Sequence, residues 1–293
     1  MSMASHGDRV AQVGGLAVVS AGDGGPVVLL EAGLGSPATS WAPVQRALSG
    51  TTRTLAYDRA GLGSSAPASR ERTLAHLAEE LAALLDGLGV NQPVVVVAHS
   101  WGAAIVRCFT ATYPELVAGI VLVDGTISAV TEPRVARLNA RAAGALARLA
   151  RSGLHRPLVR ASVRKSTSAL SSGEHAALMS DLLSSSHLRG TAAEAAGVES
   201  SLPQLKDVED QGLPDVPVTA VIGGRMGRGS AASMRRTLLD RARQEMSAHR
   251  QGTLVVAGKS GHAVPTTEPV CVVDAVLDVL RRVSENDEVR TSL

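Results

Sequence analysis

The chain is short of aromatic side chains, with two Trp, two Tyr and one Phe in 293 residues. A core of the size this length allows must therefore be packed from Val, Leu, Ile and Ala, within a hydrophobic fraction of 45%. Lysine is almost missing: Lys165, Lys206 and Lys259 are the only three among 29 basic residues. This Arg and Ala bias reads as the mark of a high-GC genome rather than as chemistry. Neither sign of charge is in excess, since 27 acidic residues leave a net charge of +2. That balance gives no reason to expect nucleic acid as a partner. Cysteine is confined to Cys108 and Cys271, without CxxC spacing or neighbouring histidines. Both read as buried free thiols in helices, not as a disulfide or a metal site. No stretch approaches the roughly 20 apolar residues that span a bilayer. The start, MSMASHGDRV, has no apolar core of a signal peptide. The expectation is a soluble cytoplasmic protein with no membrane partner.

What is present is an alternation of apolar runs and helical patterns. Val10–Val13 and Leu16–Ser20 flank Gly14-Gly15, the mark of a tight hairpin. Val27–Glu31, Val94–Ala98, Gly119–Val123 and Val218–Ile222 are almost continuously apolar, as strands covered on both faces are. Thr253–Ala257 adds another. Helical patterns occupy Ala42–Leu48, Arg72–Leu88, Ala103–Tyr113, Ala231–Ser247 and Pro269–Val283. This order predicts an α/β class with a mostly parallel, doubly wound sheet. Between about Thr126 and Gly212 there is no convincing strand, only helical stretches with expected breaks at Gly153, Pro157, Gly173, Gly190 and Pro203. The organisation expected is a core of residues 1–125 and 213–293 with a helical cap at 126–212. Arg134, Arg137, Arg141, Arg148, Arg151, Arg156, Arg160, Arg164 and Lys165 lie in that cap with little acid to oppose them. They form either a solvated helix face or a basic rim that draws an anionic substrate or an acidic carrier protein. The polar tail Ser284–Leu293 is expected to fray.

Three segments carry chemistry. Ser100 stands in Ala98-His99-Ser100-Trp101-Gly102, directly after an apolar strand and before a helix. Small flanking residues at a strand-to-helix turn are what a nucleophile elbow requires, with Ala98 in place of the usual first glycine. A serine there could instead be a helix N-cap. The loop Glu31-Ala32-Gly33-Leu34-Gly35-Ser36 follows another strand end. If acyl transfer is the chemistry, the backbone N–H groups of Leu34 and Trp101 are the expected oxyanion donors; a plain turn is the other reading. His262 lies in the glycine-bracketed loop Gly258–Pro265, from which it can reach over the strand ends and take the Ser100 proton. His99 reads as a packed neighbour, and Trp41 as packing behind the Leu34 loop.

With Tyr57-Asp58-Arg59-Ala60-Gly61-Leu62-Gly63-Ser64-Ser65, these segments resemble α/β-hydrolase-fold enzymes. The likeness is greatest to the bacterial serine hydrolase branch with an E-A-G-x-G loop, a Y-D-R-A-G-x-G-x-S segment and an H-S-W-G elbow. The resemblance implies the α/β-hydrolase fold and a buried turn at Asp58-Arg59 with an internal ion pair. It also implies an Asp soon after the strand Val218–Ile222, but the loop there, Gly223–Ser230, holds no acid. Asp124 ends the preceding strand, and relatives that take their acid from that strand make it the expected third member, in the order Ser100, Asp124, His262. An Asp at that strand end can also simply hold loop N–H groups. The function expected is hydrolysis of an ester, thioester or lactone through an acyl-enzyme on Ser100, with no metal or organic cofactor. The partner expected is a small acyl substrate. The alternatives are a cofactor-free lyase, cyclase or acyltransferase on the same scaffold, or a ligand-binding module without turnover.

Overall fold

The computed structural model describes residues 9–164 and 166–291. Eight strands form one sheet: β1 (Arg9–Val13), β2 (Leu16–Ala21), β3 (Val28–Glu31), β4 (Thr54–Tyr57), β5 (Val94–His99), β6 (Val117–Val123), β7 (Val218–Gly223) and β8 (Gly252–Ala257). Their spatial order is β1-β2-β4-β3-β5-β6-β7-β8. β1 and β2 pair antiparallel across the Gly14-Gly15 turn, β2 pairs antiparallel with β4, and every later pair is parallel.

Ten α-helices accompany the strands among the described residues: α1 (Ala42–Leu48), α2 (Leu74–Gly87), α3 (Trp101–Thr112), α4 (Pro133–Leu149), α5 (Arg156–Val163), α6 (Ser172–Leu182), α7 (Ser185–Gln211), α8 (Ser230–Ala248), α9 (Val264–Thr267) and α10 (Pro269–Thr291). α4 to α7 are inserted between β6 and β7. The valine-rich strands are buried because both faces of the sheet are covered. On one face Val94, Val96, Ile120 and Leu122 pack among Leu77, Leu81 and Phe109 of α2 and α3. On the other, Val95, Val97 and Val121 meet Leu48 of α1 and Val272, Val276 and Val279 of α10.

Three features differ from the sequence expectation. β4 was not among the expected strands, because Thr-Leu-Ala-Tyr is only four residues long and mixes Thr and Ala into its apolar run; all four are buried, and they join β2 to β3. α7 does not break at Gly190 or Pro203 but runs 27 residues through both. Gly190 serves a close approach instead: a Cβ there would overlap the Gly61 carbonyl. The tail does not fray at Ser284 either, since α10 continues to Thr291; Ser292 and Leu293 lie outside the described residues, as do the first eight. Cys108 is buried and Cys271 half-buried, and both are free thiols. No helix among the described residues is long and apolar enough to cross a membrane.

Candidate active site

In an open parallel sheet the C-terminal strand ends form the natural place for a site, because each strand delivers a loop there. β3 delivers the Ala32–Ser36 loop, β5 delivers Ser100, β6 delivers Asp124, and the loop after β8 delivers His262. Ser100 sits at φ 54°, ψ −120°, a conformation an L-residue adopts at a cost of order 1–3 kcal/mol. Its N–H donates to the Val123 carbonyl at 3.1 Å, and its own carbonyl accepts from Ala103 and Thr126. The turn is therefore held from both sides. Gly102 has no room for a side chain, since a Cβ would stand 2.7 Å from the carbonyl oxygens of both Glu31 and Ala32. At Ala98 the added methyl is fully buried and packs in the core.

The three predicted side chains meet in one hydrogen-bonded chain. His262 Nε2 lies 2.9 Å from Ser100 Oγ, and its Nδ1 lies 2.6 Å from Asp124 Oδ2. A carboxylate only accepts, so Nδ1 carries the proton and the Nε2 lone pair faces the serine hydroxyl. Asp124 is buried, in the left-handed region at φ 45°. Burial opposes its charge, but the hydrogen bond and charge of His262, the charge of Arg235 and the Gly223 N–H outweigh it, holding the carboxyl below its ordinary value. Asp124 is thus an ionised acceptor at neutral pH.

The loop after β7, where the resemblance implies an acid, is pinned: Gly224 N–H donates to the Ala257 carbonyl at 2.7 Å and Arg225 N–H to the Ser260 carbonyl at 2.8 Å, both in the strand and loop that lead to His262. What that side contributes to Asp124 is a cation and an amide. Arg235 of α8 pairs with Oδ1, and Gly223 N–H donates to the same oxygen at 3.0 Å. Arg235 carried no sequence signal, being one arginine in a helix that holds several. His99 also acts on the loop, as its Nε2–H donates to the His262 carbonyl at 2.8 Å. Burial, then the neighbouring His262, pushes the His99 pKa down to about 4, so the ring is neutral at pH 7. Trp41 is fully buried and edge-on to the His99 ring.

A cavity of about 320 Å³ opens over Ser100 and His262, with Leu34, Trp101, Asp124 and Arg235 on its border. Its walls are mostly apolar, with Val135 and Ala136 of α4, Val198 of α7 and Leu238 of α8. A larger one, about 880 Å³, lies at the opposite strand ends near Pro93 and Pro217 and touches none of these residues. Within the described residues no hydrogen bond engages the backbone N–H of Leu34 or Trp101. Both residues border the cavity that Ser100 faces. Among the described residues no group of three or more His, Cys, Asp or Glu side chains is arranged to hold a metal ion. The Asp58-Arg59 turn is buried, but the two do not pair with each other. Asp58 accepts from the backbone N–H groups of Ala38 and Ser64, while Arg59 pairs with Glu31 and Glu194.

Residues 27–275 match the model of the alpha/beta hydrolase family. The chain belongs to this family. An AB hydrolase superfamily protein of Gibberella zeae is 40% identical over 103 residues, covering 34% of this chain and 32% of that protein. Over four curated relatives the aligned stretch spans between 16% and 41% of their own lengths. A thermophilic esterase from Thermogutta terrifontis superposes with a TM-score of 0.70 at 22% identity, covering 94% of this chain and 98% of that one. The epoxide hydrolase CorEH does so with a TM-score of 0.67 at 20% identity, again covering 94% and 98%. These likenesses carry the fold, and esterase and epoxide hydrolase chemistry occur among the proteins that share it.

Proposed function

We propose that this alpha/beta hydrolase is a serine hydrolase that cleaves a carboxylic ester, thioester or lactone through an acyl-enzyme on Ser100. The observation that carries the reading is the continuous chain from Asp124 through His262 to Ser100, which ends in a cavity that Leu34 and Trp101 also border. Ser100 Oγ attacks the substrate carbonyl as His262 Nε2 takes its proton. The oxygen that gains charge turns toward the N–H groups of Leu34 and Trp101, each worth about 3 kcal/mol in the transition state. His262 returns the proton to the leaving oxygen or sulfur, and a water activated by the same nitrogen releases the acid. Asp124 holds the Nδ1–H tautomer and stabilises the imidazolium, while Arg235 and Gly223 hold Asp124. The apolar walls and the size of the cavity suit a small acyl group, and the inserted helices α4 to α7 act as the cap that shapes it. Epoxide opening through an alkyl-enzyme ester would call for a carboxylate nucleophile, and the elbow offers a hydroxyl.

A serine-directed fluorophosphonate and p-nitrophenyl butyrate test this together. The expected result is a covalent adduct on Ser100, ester turnover, and loss of both in Ser100→Ala. Asp124→Asn is expected to lower kcat by about 10⁴. Failure of several phosphonates to label Ser100 would sink the hydrolase reading, and an Asp124→Asn activity within a few-fold of wild type would remove Asp124 from the triad.

A further inference from the structure

The Ala32–Ser36 loop has to aim one N–H group, and bonds from outside the loop add to the hold of its own turn. Peptide units are planar, with C=O and N–H pointing in opposite directions. The Leu34 N–H shares its plane with the Gly33 carbonyl, so whatever holds that carbonyl sets the direction of the N–H. Within the loop Ser36 N–H donates to it at 3.0 Å, and Arg59 Nη2 donates to it at 2.7 Å while Nη1 holds the Ala32 carbonyl at 2.7 Å. The next plane is held by the insertion: Gly35 N–H donates to Glu194 Oε2 at 3.0 Å. The plane after that is held through the Gly35 carbonyl, which accepts from His187 Nε2 at 2.9 Å. Glu194 joins the two grips, since its carboxylate also takes Arg59 Nε at 2.6 Å and Nη2 at 2.9 Å. Both Glu194 and His187 belong to α7.

The charges and tautomers agree with a fixed arrangement. Glu194, Arg59 and His187 are buried, as is Glu31, the second carboxylate on Arg59. Burial opposes the charge of Glu194, but Arg59 and the Gly35 N–H hold its carboxyl below the ordinary value. His187 is pushed down by burial and is neutral, accepting from Gly63 N–H at Nδ1 and donating from Nε2. Glycines let α7 come this close, because a Cβ at Gly190 would overlap the Gly61 carbonyl and one at Gly197 the Arg72 carbonyl. Stability alone does not call for such a cluster, since buried ion pairs replaced by apolar residues of similar volume often leave stability unchanged or improved. What apolar residues cannot supply is directional hold on successive peptide planes.

We propose that α7 is the positioning element of the oxyanion site: Glu194, with His187 and through Arg59, sets the orientation of the Leu34 N–H. This rests on the hydrolase reading, because it assigns Leu34 a charge to receive. Glu194→Gln keeps an acceptor for Gly35 N–H and loses the ionic hold on Arg59. It and His187→Leu are compared with wild type on p-nitrophenyl butyrate and its thionoester analogue, whose sulfur is a poor hydrogen-bond acceptor. For Glu194→Gln the expected result is a kcat lowered about 10- to 100-fold, KM within about three-fold, and a reduced preference for ester over thionoester. His187→Leu is expected to move the same quantities less, about ten-fold in kcat. A folded Glu194→Gln protein with kcat within two-fold of wild type overturns the proposal, and so does a kcat loss that leaves the ester to thionoester ratio unchanged. If neither variant folds, α7 is a folding element and the proposal falls. A wild-type protein inert to the butyrate ester and to phosphonates removes the hydrolase reading and this proposal together.

Discussion

Two neighbouring helices of the insertion, α7 and α4, handle charge in opposite ways. α7 sends Glu194 inward, where it is fully buried and bonded to Arg59 and to a backbone N–H of the core. α4 sends Arg134, Arg137, Arg141 and Arg148 outward, and among the described residues only Arg137 has an acidic partner, Glu199 at 3.1 Å. Beside that arginine row Val135 is 49% and Leu138 is 65% exposed. The two helices pack on each other, so the difference is not one of location in the chain. It lies in what each outer face meets: α7 closes on the strand-end loops, α4 meets solvent. A charged side chain fixes geometry only where water is excluded and its partners are few; the same charge in solvent is screened and free to reorient. Substitutions on the two helices and their partners should therefore differ by an order of magnitude in effect.

The sharpest break is Arg59→Met, which leaves Glu31 and Glu194 buried near each other without the cation bonded to both. Removing one partner of a buried ion cluster costs about 3–5 kcal/mol. The expected outcome is a urea midpoint lowered accordingly, with an unchanged slope. A loss below about 1 kcal/mol would mean that the cluster relaxes or takes up water, and that α7 is no different in kind from α4.

An intermediate case lies on α6. Asp181 is half-buried and accepts from Thr39 Oγ1 at 3.0 Å. Burial first, and the charge of Asp58 second, raise its pKa from 3.8 to about 6. The folded state then binds more protons than the unfolded one between those values, so this group's contribution is fully present below about pH 4 and is lost as the pH rises through about 6. Above pH 6 the ionised form weakens the fold. Asp181→Asn is expected to stabilise by about 1–2 kcal/mol at pH 7.5, discounted for partial exposure, and to have no effect near pH 3.5. Denaturant unfolding at the two pH values checks it; a gain that persists at pH 3.5 would mean that Asp58 and burial are not its cause.

The same division between strand-end chemistry and inward helix contacts explains what could be read before the fold was seen. Ser100, Asp124 and His262 were legible because each stands at the end of an apolar run or in a glycine-bracketed loop, and parallel sheets gather such ends together. That the loop after β7 lacks the acid the resemblance implies was also legible, since Gly223–Ser230 holds no Asp or Glu. The partners that hold these residues were not. Glu194 and Gly35 are 159 positions apart and Arg235 and Asp124 are 111 apart, with no pattern to link them. Gly190 misled for a physical reason: a glycine inside a helix lowers propensity, which reads as a break, whereas here it answers a backbone contact with Gly61. β4 was missed because four residues containing Thr and Ala carry too little periodicity to stand out from a loop.

The smallest expected effect is on the outer face of α4. Arg134, Arg137, Arg141 and Arg148 are spaced three, four and seven apart, so Arg141 has one like charge, Arg137, a turn away and no acidic partner among the described residues. Like charges at such spacing destabilise a helix by about 0.2–0.5 kcal/mol per pair. Arg141→Gln should therefore stabilise the fold slightly, by a few tenths of a kcal/mol at low ionic strength, and the gain should vanish in 1 M salt where the screening length is about 3 Å. Ester turnover should be unchanged. A loss above about 1 kcal/mol, or a salt-independent effect, would show that Arg141 has a partner whose geometry matters, and the contrast with α7 would then be one of degree only.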